Sequence, residues 1–450
     1  MTPDQYTPEE PITSIATALA PAALGIVRVS GNGCIELVSK VFSRPKALLA
    51  APGNTLVYGW IEKIDEVMLA VYRAPKSFTG EDMVEIFCHG GPSVVTAIQN
   101  RMLKIGFRQA TRGEYTFRAF INGKTDLTRA EAIKEIIDSH TDTSRSHAAG
   151  RLAGSLFEEI DSIKKLIVDT LAAIEVEIEY PEDEETIADS FDRADIEKAV
   201  KRLQALADSW QGEKLYQDGA RVVLAGRTNA GKSSLFNAIL KEERAIVSDI
   251  EGTTRDWLES WASINGIPVR LFDTAGLRET NDVIEAQGVE ISRNLVHDAD
   301  VVLYLVDSQQ GLNDEDREFI EKCNVPLILV YTKMDCHSAL SLRAEGEAIY
   351  ISSKTGAGLS ELFTKITEIL TAGLSTERTQ AGLGSARQKE AVSEALECVK
   401  HALVSADDNY TLDAVVQDLE DSLDYLGQVT GDVTPDDVLG SIFANFCVGK

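Results

Sequence analysis

The sequence predicts a chain of three parts: an α+β N-terminal domain, an all-α helical domain, and an α/β domain inserted into the helical one. Three observations predict it. Short strand-like runs with Gly and Pro punctuation fill residues 1 to about 125. An apolar stripe at three- and four-residue spacing takes over from about 126, and helical pattern returns after about 380. Between about 219 and 374, near-continuous apolar runs alternate with helical segments, as in a parallel sheet covered on both faces. The boundaries that follow are 1–125, 126–217, 218–375 and 376–450, the second and fourth being halves of one helical domain.

In the first region, residues 26–29 and 68–72 read as strands, and Pro45, Pro52, Gly53, Pro75, Gly90, Gly91 and Pro92 mark turns. In the second, Leu152, Leu156, Ile160, Ile163, Ile167, Leu171 and Ile174 form the stripe of one amphipathic helix. The acidic run Glu182-Asp183-Glu184-Glu185 follows Pro181 and reads as a solvated loop or helix start. A further helix is expected near 193–211. In the third, residues 221–225 form a buried strand, Asn265-Gly266 signals a hairpin turn, and 301–306, 327–331 and 348–351 are further strands.

Length alone suggests two or three domains. No run approaches the ~18 apolar residues of a membrane span, and the polar start does not read as a signal peptide. The six cysteines are scattered without a CxxC pair, which argues against a disulfide framework or zinc site and fits a reducing cytoplasm. Cys34, Cys88, Cys323, Cys336 and Cys398 read as small core residues. A net charge of −28 argues against broad nucleic-acid binding but leaves room for a local basic patch.

The chemistry concentrates in the third region. Gly226-Arg227-Thr228-Asn229-Ala230-Gly231-Lys232-Ser233 matches the phosphate-binding GxxxxGK[ST] pattern, after a strand and before a helix. Backbone N–H groups of Asn229, Ala230, Gly231, Lys232, Ser233 and Ser234 would cradle phosphates, Lys232 would reach the β- and γ-phosphates, and Ser233 would ligate Mg²⁺. The segment Ser248-Asp249-Ile250-Glu251-Gly252-Thr253-Thr254 supplies a switch threonine, Thr254, as a second Mg²⁺ ligand. In Asp273-Thr274-Ala275-Gly276, Asp273 would hold a magnesium water and Gly276 would offer its N–H to the γ-phosphate. Thr332-Lys333-Met334-Asp335 sets the base: the Asp335 carboxylate accepts from guanine N1 and N2, a donor pair adenine lacks. Thr332 stands where this motif usually has Asn. Ser352-Ser353-Lys354 is placed to back the base. These are the parts of a P-loop GTPase (Ras-like) domain binding GTP and GDP. Leu277 occupies the position where many GTPases keep a water-orienting glutamine, and Arg255 and Arg278 read either as nearby cations for the phosphate or as surface charges.

With these motifs in order, the chain resembles the MnmE or TrmE family of tRNA-modification GTPases over nearly its whole length. The resemblance is carried also by Ser77-Phe78-Thr79-Gly80-Glu81-Asp82, His89-Gly90-Gly91, Gly113-Glu114-Tyr115-Thr116, Asn122-Gly123-Lys124 and the terminal Phe446-Cys447-Val448-Gly449-Lys450. It implies a folate-binding-like N-terminal domain that also dimerises, and Arg28, Glu85, Lys124 and Lys450 as folate contacts. Read without it, these are a surface Arg, a strand-edge Glu and exposed Lys residues. It further implies a K⁺-activated GTPase that adds an aminomethyl-type group, such as carboxymethylaminomethyl, to C5 of the tRNA wobble uridine. The one-carbon donor is a tetrahydrofolate derivative (5-formyl or 5,10-methylene). A FAD-containing protein, MnmG or GidA, is the partner in a heterotetramer built on the homodimer. Asn229 matches the family's K⁺-ligating asparagine, with oxygens from Ser248, Ile250 and Thr253 completing the site, and Glu279 is the group to orient the attacking water. Two stretches depart from the family pattern: Ala20-Pro21-Ala22-Ala23-Leu24 replaces a Gly-rich run, and Arg112 replaces a Pro. Cys447 reads either as a nucleophile or as a packing residue at a shared folate–tRNA site. A second function class stays open at this point: a dimerising GTP switch that scaffolds another assembly.

Overall fold

The structure is a computed structural model and describes residues 10–179, 192–242, 258–273, 295–336, 347–374, 381–407 and 412–449. It divides into two compact units, one of Met1–Lys134, Leu152–Leu203 and Glu390–Lys450, the other of Glu135–Arg151 and Gln204–Lys389.

The first unit holds a six-stranded sheet: β1 (Ile12–Ile15), β2 (Ala22–Ser30), β3 (Thr55–Ile61), β4 (Asp65–Tyr72), β5 (Met83–Gly90) and β6 (Arg108–Gln109), in the order β3-β4-β5-β2-β1-β6. All neighbours are antiparallel except β1 and β6. Alternation decides which side is covered. Val27, Val29, Val57, Leu69 and Ile86 point to a core shared with Val95, Ile98 and Met102 of the helix Pro92–Lys104. On the opposite face Tyr58, Met68, Phe87 and Ile26 stand in one cross-strand row, beside a second row of Leu56, Ala70, Glu85 and Arg28. Leu56, Tyr58, Trp60 and Met68 are exposed there. β2 starts earlier than expected. The departing stretch contributes Ala22–Leu24 to the strand through a bulge, and Gly90 lies so close that a Cβ on it would stand 2.4 Å from the Ala22 carbonyl.

Helices of this unit include Ser155–Glu179 and Leu412–Thr430, which pack on each other, and Asp436–Ala444. The expected stripe needs one correction. Leu156, Ile160, Ile163, Ile167 and Ile174 are fully buried and Leu171 is half-buried, but Leu152 is exposed. It belongs to the preceding helix, Asp142–Ala153, and Gly154 separates the two at φ +111°, which resets the phase of the stripe. Phe443 and Phe446 pack on Phe117 of the helix Glu114–Ile121, the first ring pair edge-to-face at 5.3 Å. The C-terminal segment therefore lies against the N-terminal region. Helices also cover Leu127–Asp138, Arg193–Asp218 and Ala386–Asp407. The acidic run 182–185 lies outside the described residues.

The second unit holds β7 (Ala220–Gly226), β8 (Leu258–Ile264), β9 (Ile267–Asp273), β10 (Val301–Asp307), β11 (Leu327–Thr332) and β12 (Ala348–Tyr350), in the order β12-β11-β10-β7-β9-β8. All pairs are parallel except the β8–β9 hairpin. Its turn is the expected Asn265-Gly266, both at positive φ (50° and 86°), the backbone a tight two-residue turn requires. Every residue of β10 is buried. Leu303 and Leu305 face the helices Lys232–Glu242 and Leu359–Leu370, while Val302, Tyr304 and Val306 face Phe319 and Ile320 of the helix Asp314–Lys322. This is the expected doubly covered α/β sheet. No helix among the described residues is long and apolar enough to cross a membrane.

Of the cysteines expected in cores, Cys34 and Cys88 are buried, but Cys323, Cys336 and Cys398 are only half-buried. Cys323 caps the helix Asp314–Lys322 and Cys336 lies in the turn after β11, where apolar residue type is a weak guide to depth.

Candidate functional site

The phosphate loop joins β7 to the helix Lys232–Glu242 at the carboxyl edge of the parallel sheet. Gly226 (φ +133°) is obligatory there, since a Cβ would stand 2.3 Å from the Leu305 carbonyl of β10. Asn229 holds φ 63°, a left-handed conformation a non-glycine residue adopts only when its surroundings require it. The Lys232 ammonium donates to the carbonyls of Gly226 and Arg227, each at 2.8 Å, which folds it over the loop. Ser233 Oγ donates to Asp273 Oδ2 at 2.8 Å, so the end of β9 and the start of the helix meet. Asp273 is 1% exposed, whereas Ser233, Ser234 and Asn229 are open to solvent.

The neighbouring β11 brings the base-side residues to the same edge. Thr332 Oγ1 donates to the carbonyl of Ala230, 2.7 Å away in the phosphate loop. Lys333 also stands at positive φ (60°), and its ammonium donates to Asp307 Oδ2 at 2.7 Å. Partial burial opposes ionisation of Asp307, yet the hydrogen bonds from Lys333 and the Gln309 N–H hold its pKa below the usual carboxylate range. Asp335 is exposed and accepts from Ser352 Oγ at 2.8 Å, which, with Lys354 nearby, lowers its pKa. Ser352 is buried and Ser353 half-buried. An ionised, oriented carboxylate thus faces outward beside the loop.

Sequence reading missed three members of this constellation. Arg227 of the phosphate loop pairs with Asp316 Oδ2 at 3.1 Å and donates to the Gly311 carbonyl. Asp316 is fully buried, accepts from Tyr304 Oη at 2.7 Å and closes a capping box with Asn313. Asp307, which receives Lys333, is the third. The capping box is legible as Asn-x-x-Asp, but its link to Arg227 spans 89 positions and leaves no local signal. Ser248, Asp249, Ile250, Glu251, Gly252, Thr253, Thr254, Thr274, Ala275, Gly276, Leu277 and Glu279 lie outside the described residues, as do Arg255 and Arg278.

A second constellation lies on the other face of the first unit's sheet, where Arg28 and Glu85 are partly buried. Arg28 Nε and Nη2 donate to Glu85 Oε1 at 2.9 and 2.6 Å, across the β2–β5 ladder. Arg28 Nη1 donates to the carbonyl of Gly449 at 2.7 Å. The tail is held further by an antiparallel bridge between Arg112 and Val448, so the Arg that departs from the family pattern contributes its backbone here. Gly449, at φ +95°, leaves no room for a side chain: a Cβ would stand 2.7 Å from the Ile15 carbonyl. Tyr115 is fully buried beneath Arg28, donates to its backbone carbonyl at 2.8 Å, and has its pKa raised by burial. Tyr72 donates to Glu85 Oε2 at 3.3 Å. Arg28, Glu85 and the tail are therefore together. Lys124 lies in the turn after Glu114–Ile121, its stem against Gly80. Cys447 is exposed, and Lys450 lies outside the described residues.

Comparisons with known proteins cover both units of the chain. The family model described as MnmE helical domain matches residues 127–447, and that described as GTP-binding protein TrmE N-terminus matches 11–124. The chain is 51% identical over 468 residues to the tRNA modification GTPase MnmE of Treponema denticola, with 99% of each chain covered. It is 40% identical to that of Borrelia turicatae, over 98% of each, and 39% identical to that of Carboxydothermus hydrogenoformans, over 98% of this chain and 100% of the relative. Among solved structures it is similar to Aquifex aeolicus Era bound to GDP.AlF4- (28% identity, 40% of this chain and 66% of that one, TM-score 0.29). It is also similar to the G domain of the T. maritima FeoB iron transporter (29% identity, 33% and 98%, TM-score 0.25). With relatives at this identity along 98–99% of its length, the chain belongs to the MnmE family.

Proposed function

We propose that the chain hydrolyses GTP to GDP and phosphate, and that this cycle serves modification of C5 of the tRNA wobble uridine. The observation that carries the reading is the convergence at one sheet edge of Lys232, the Ser233–Asp273 pair and the Asp335–Ser352 pair. Loop N–H groups and Lys232 bind the phosphates; Asp335, held ionised, selects guanine. Ser233 and Asp273 supply hard oxygens suited to Mg²⁺, Asp273 through a water, and Thr254 is the further ligand we assign. Bound Mg²⁺ neutralises charge on the phosphates. We assign K⁺ binding to Asn229, Ser248, Ile250 and Thr253, and orientation of the attacking water to Glu279. The exposed, left-handed Asn229 is compatible with an oxygen donor turned out of the loop.

The finer reading extends to the sheet face that carries Arg28 and Glu85. Arg28 pairs with carboxylates and Glu85 accepts from N–H groups, a donor and acceptor set that fits the glutamate tail and pterin ring of a tetrahydrofolate derivative. The tail reaches the same place through Gly449, and Lys124 and Lys450 are the additional folate contacts we assign. The exposed row around Tyr58 and Met68 suits a second copy of this chain, giving a homodimer that a FAD-containing MnmG-type partner joins as a heterotetramer in the cytoplasm.

The test is mass spectrometry of wobble uridines in cells lacking the chain. The modification should vanish, return with the wild type, and stay absent with Lys232→Ala. Its persistence without the chain overturns the reading. In vitro, hydrolysis should be much faster in K⁺ than in Na⁺, with Asn229→Ala erasing the difference; equal rates overturn the K⁺ assignment alone. Calorimetry with 5-formyltetrahydrofolate should show binding that Arg28→Ala removes, and no heat at millimolar ligand overturns the folate assignment.

A further inference from the structure

Thr332 ends β11 with only 2% of its surface exposed. Its hydroxyl carries one proton, and two backbone carbonyls stand within reach: Ala230 at 2.7 Å and Val306 at 3.3 Å. The proton is therefore committed to the main chain, where it ties the phosphate loop to the sheet. The Asn usual at this place carries two N–H donors on one nitrogen, so it can hold a loop carbonyl and still offer a second N–H; Thr cannot. The next side chain does not replace that donor, because the Lys333 ammonium is drawn 2.7 Å to Asp307. Guanine presents N7 as a bare acceptor on one edge, while Asp335, aligned by Ser352, offers only acceptors and serves the opposite edge.

We propose that Thr332 acts as a tether of the phosphate loop and leaves guanine N7 unread, so that base recognition in this chain rests on the N1/N2 edge through Asp335. This deepens the nucleotide reading above and rests on it.

The experiment is equilibrium binding of GDP and 7-deaza-GDP to the full chain. The wild type should bind both within about twofold. Thr332→Asn should open a preference for GDP of about five- to tenfold, the worth of one added hydrogen bond. Thr332→Val keeps the shape, removes the proton, and should weaken both ligands by the same factor. A wild type that prefers GDP tenfold or more overturns the proposal, as does a Thr332→Asn protein indifferent to N7, or a Thr332→Val protein that binds GDP like the wild type. If the valine variant fails to fold, the two wild-type constants still decide. Absence of any GDP binding to the wild type would instead sink the nucleotide reading, and the first titration separates the two failures.

Discussion

The two sheets solve the same problem differently. The parallel sheet of β7, β9, β10, β11 and β12 buries both faces, so its strands are apolar throughout and its chemistry sits at the carboxyl edge, in loops. The antiparallel sheet buries one face throughout and leaves the other open only over β3 and β4, so its strands alternate and that second face itself carries Arg28 and Glu85. A site at an edge can be re-shaped by loops without touching the core. A site on a face is built from strand residues whose neighbours two positions away are fixed by the same pleat.

The largest effect that sharpens this contrast is at the edge. Lys232→Ala should lower GTP hydrolysis by about 10²–10³-fold, measured as kcat, while thermal unfolding changes little; a large loss of stability would show that the ammonium's loop contacts are structural. Next, an acidic residue should distinguish the two sheets. Leu303→Asp places an unpaired charge between covered faces and should cost about 3 to 5 kcal/mol by urea unfolding. Met68→Asp on the bare face should stay within about 1 kcal/mol and instead lower self-association in sedimentation. Equal costs would break the comparison.

A smaller effect concerns acid. Each unit buries a carboxylate against arginine: Glu114 with Arg108 and Arg118, Glu213 with Arg151 and His147. Burial opposes ionisation in both, but the ion pairs and hydrogen bonds prevail and lower both pKa values. Depressed folded pKa values stabilise above the unfolded value and the benefit is lost as pH falls through the folded one. Tm differences between wild type and Glu114→Gln or Glu213→Gln should therefore be largest near neutrality and shrink below about pH 4.5. Differences that grow in acid would reverse the sign. Smallest of all, Arg28→Ala should leave GTP hydrolysis within about twofold while abolishing wobble-uridine modification, since its partners are Glu85 and the tail.

Legibility followed distance along the chain. The phosphate loop between strand and helix, the Asn265-Gly266 turn and the doubly covered sheet were readable because their signals are periodic or contiguous. Leu152 was misread because a single left-handed residue, Gly154, shifts phase without interrupting the spacing of apolar residues. Arg227 and Asp316, or Arg28 and Gly449, meet only because whole elements fold together; nothing near either partner marks the other. Half-burial of Cys323 and Cys398 shows the limit of residue type as a depth gauge. Residue order also understated Thr332: along the chain it is only a departure from a motif, whereas in space its hydroxyl donates to the Ala230 carbonyl of the phosphate loop.

The hydrogen bond from Arg28 to Gly449 joins positions 421 apart. At ~5–20 residues per second, a ribosome needs roughly 20 to 80 s between making one and making the other. Through that interval the N-terminal sheet can form while its Arg28–Glu85 pair lacks its third contact. The face constellation is thus completed late in synthesis, after the phosphate loop has already emerged, and a nascent chain would acquire its nucleotide site before its sheet-face site.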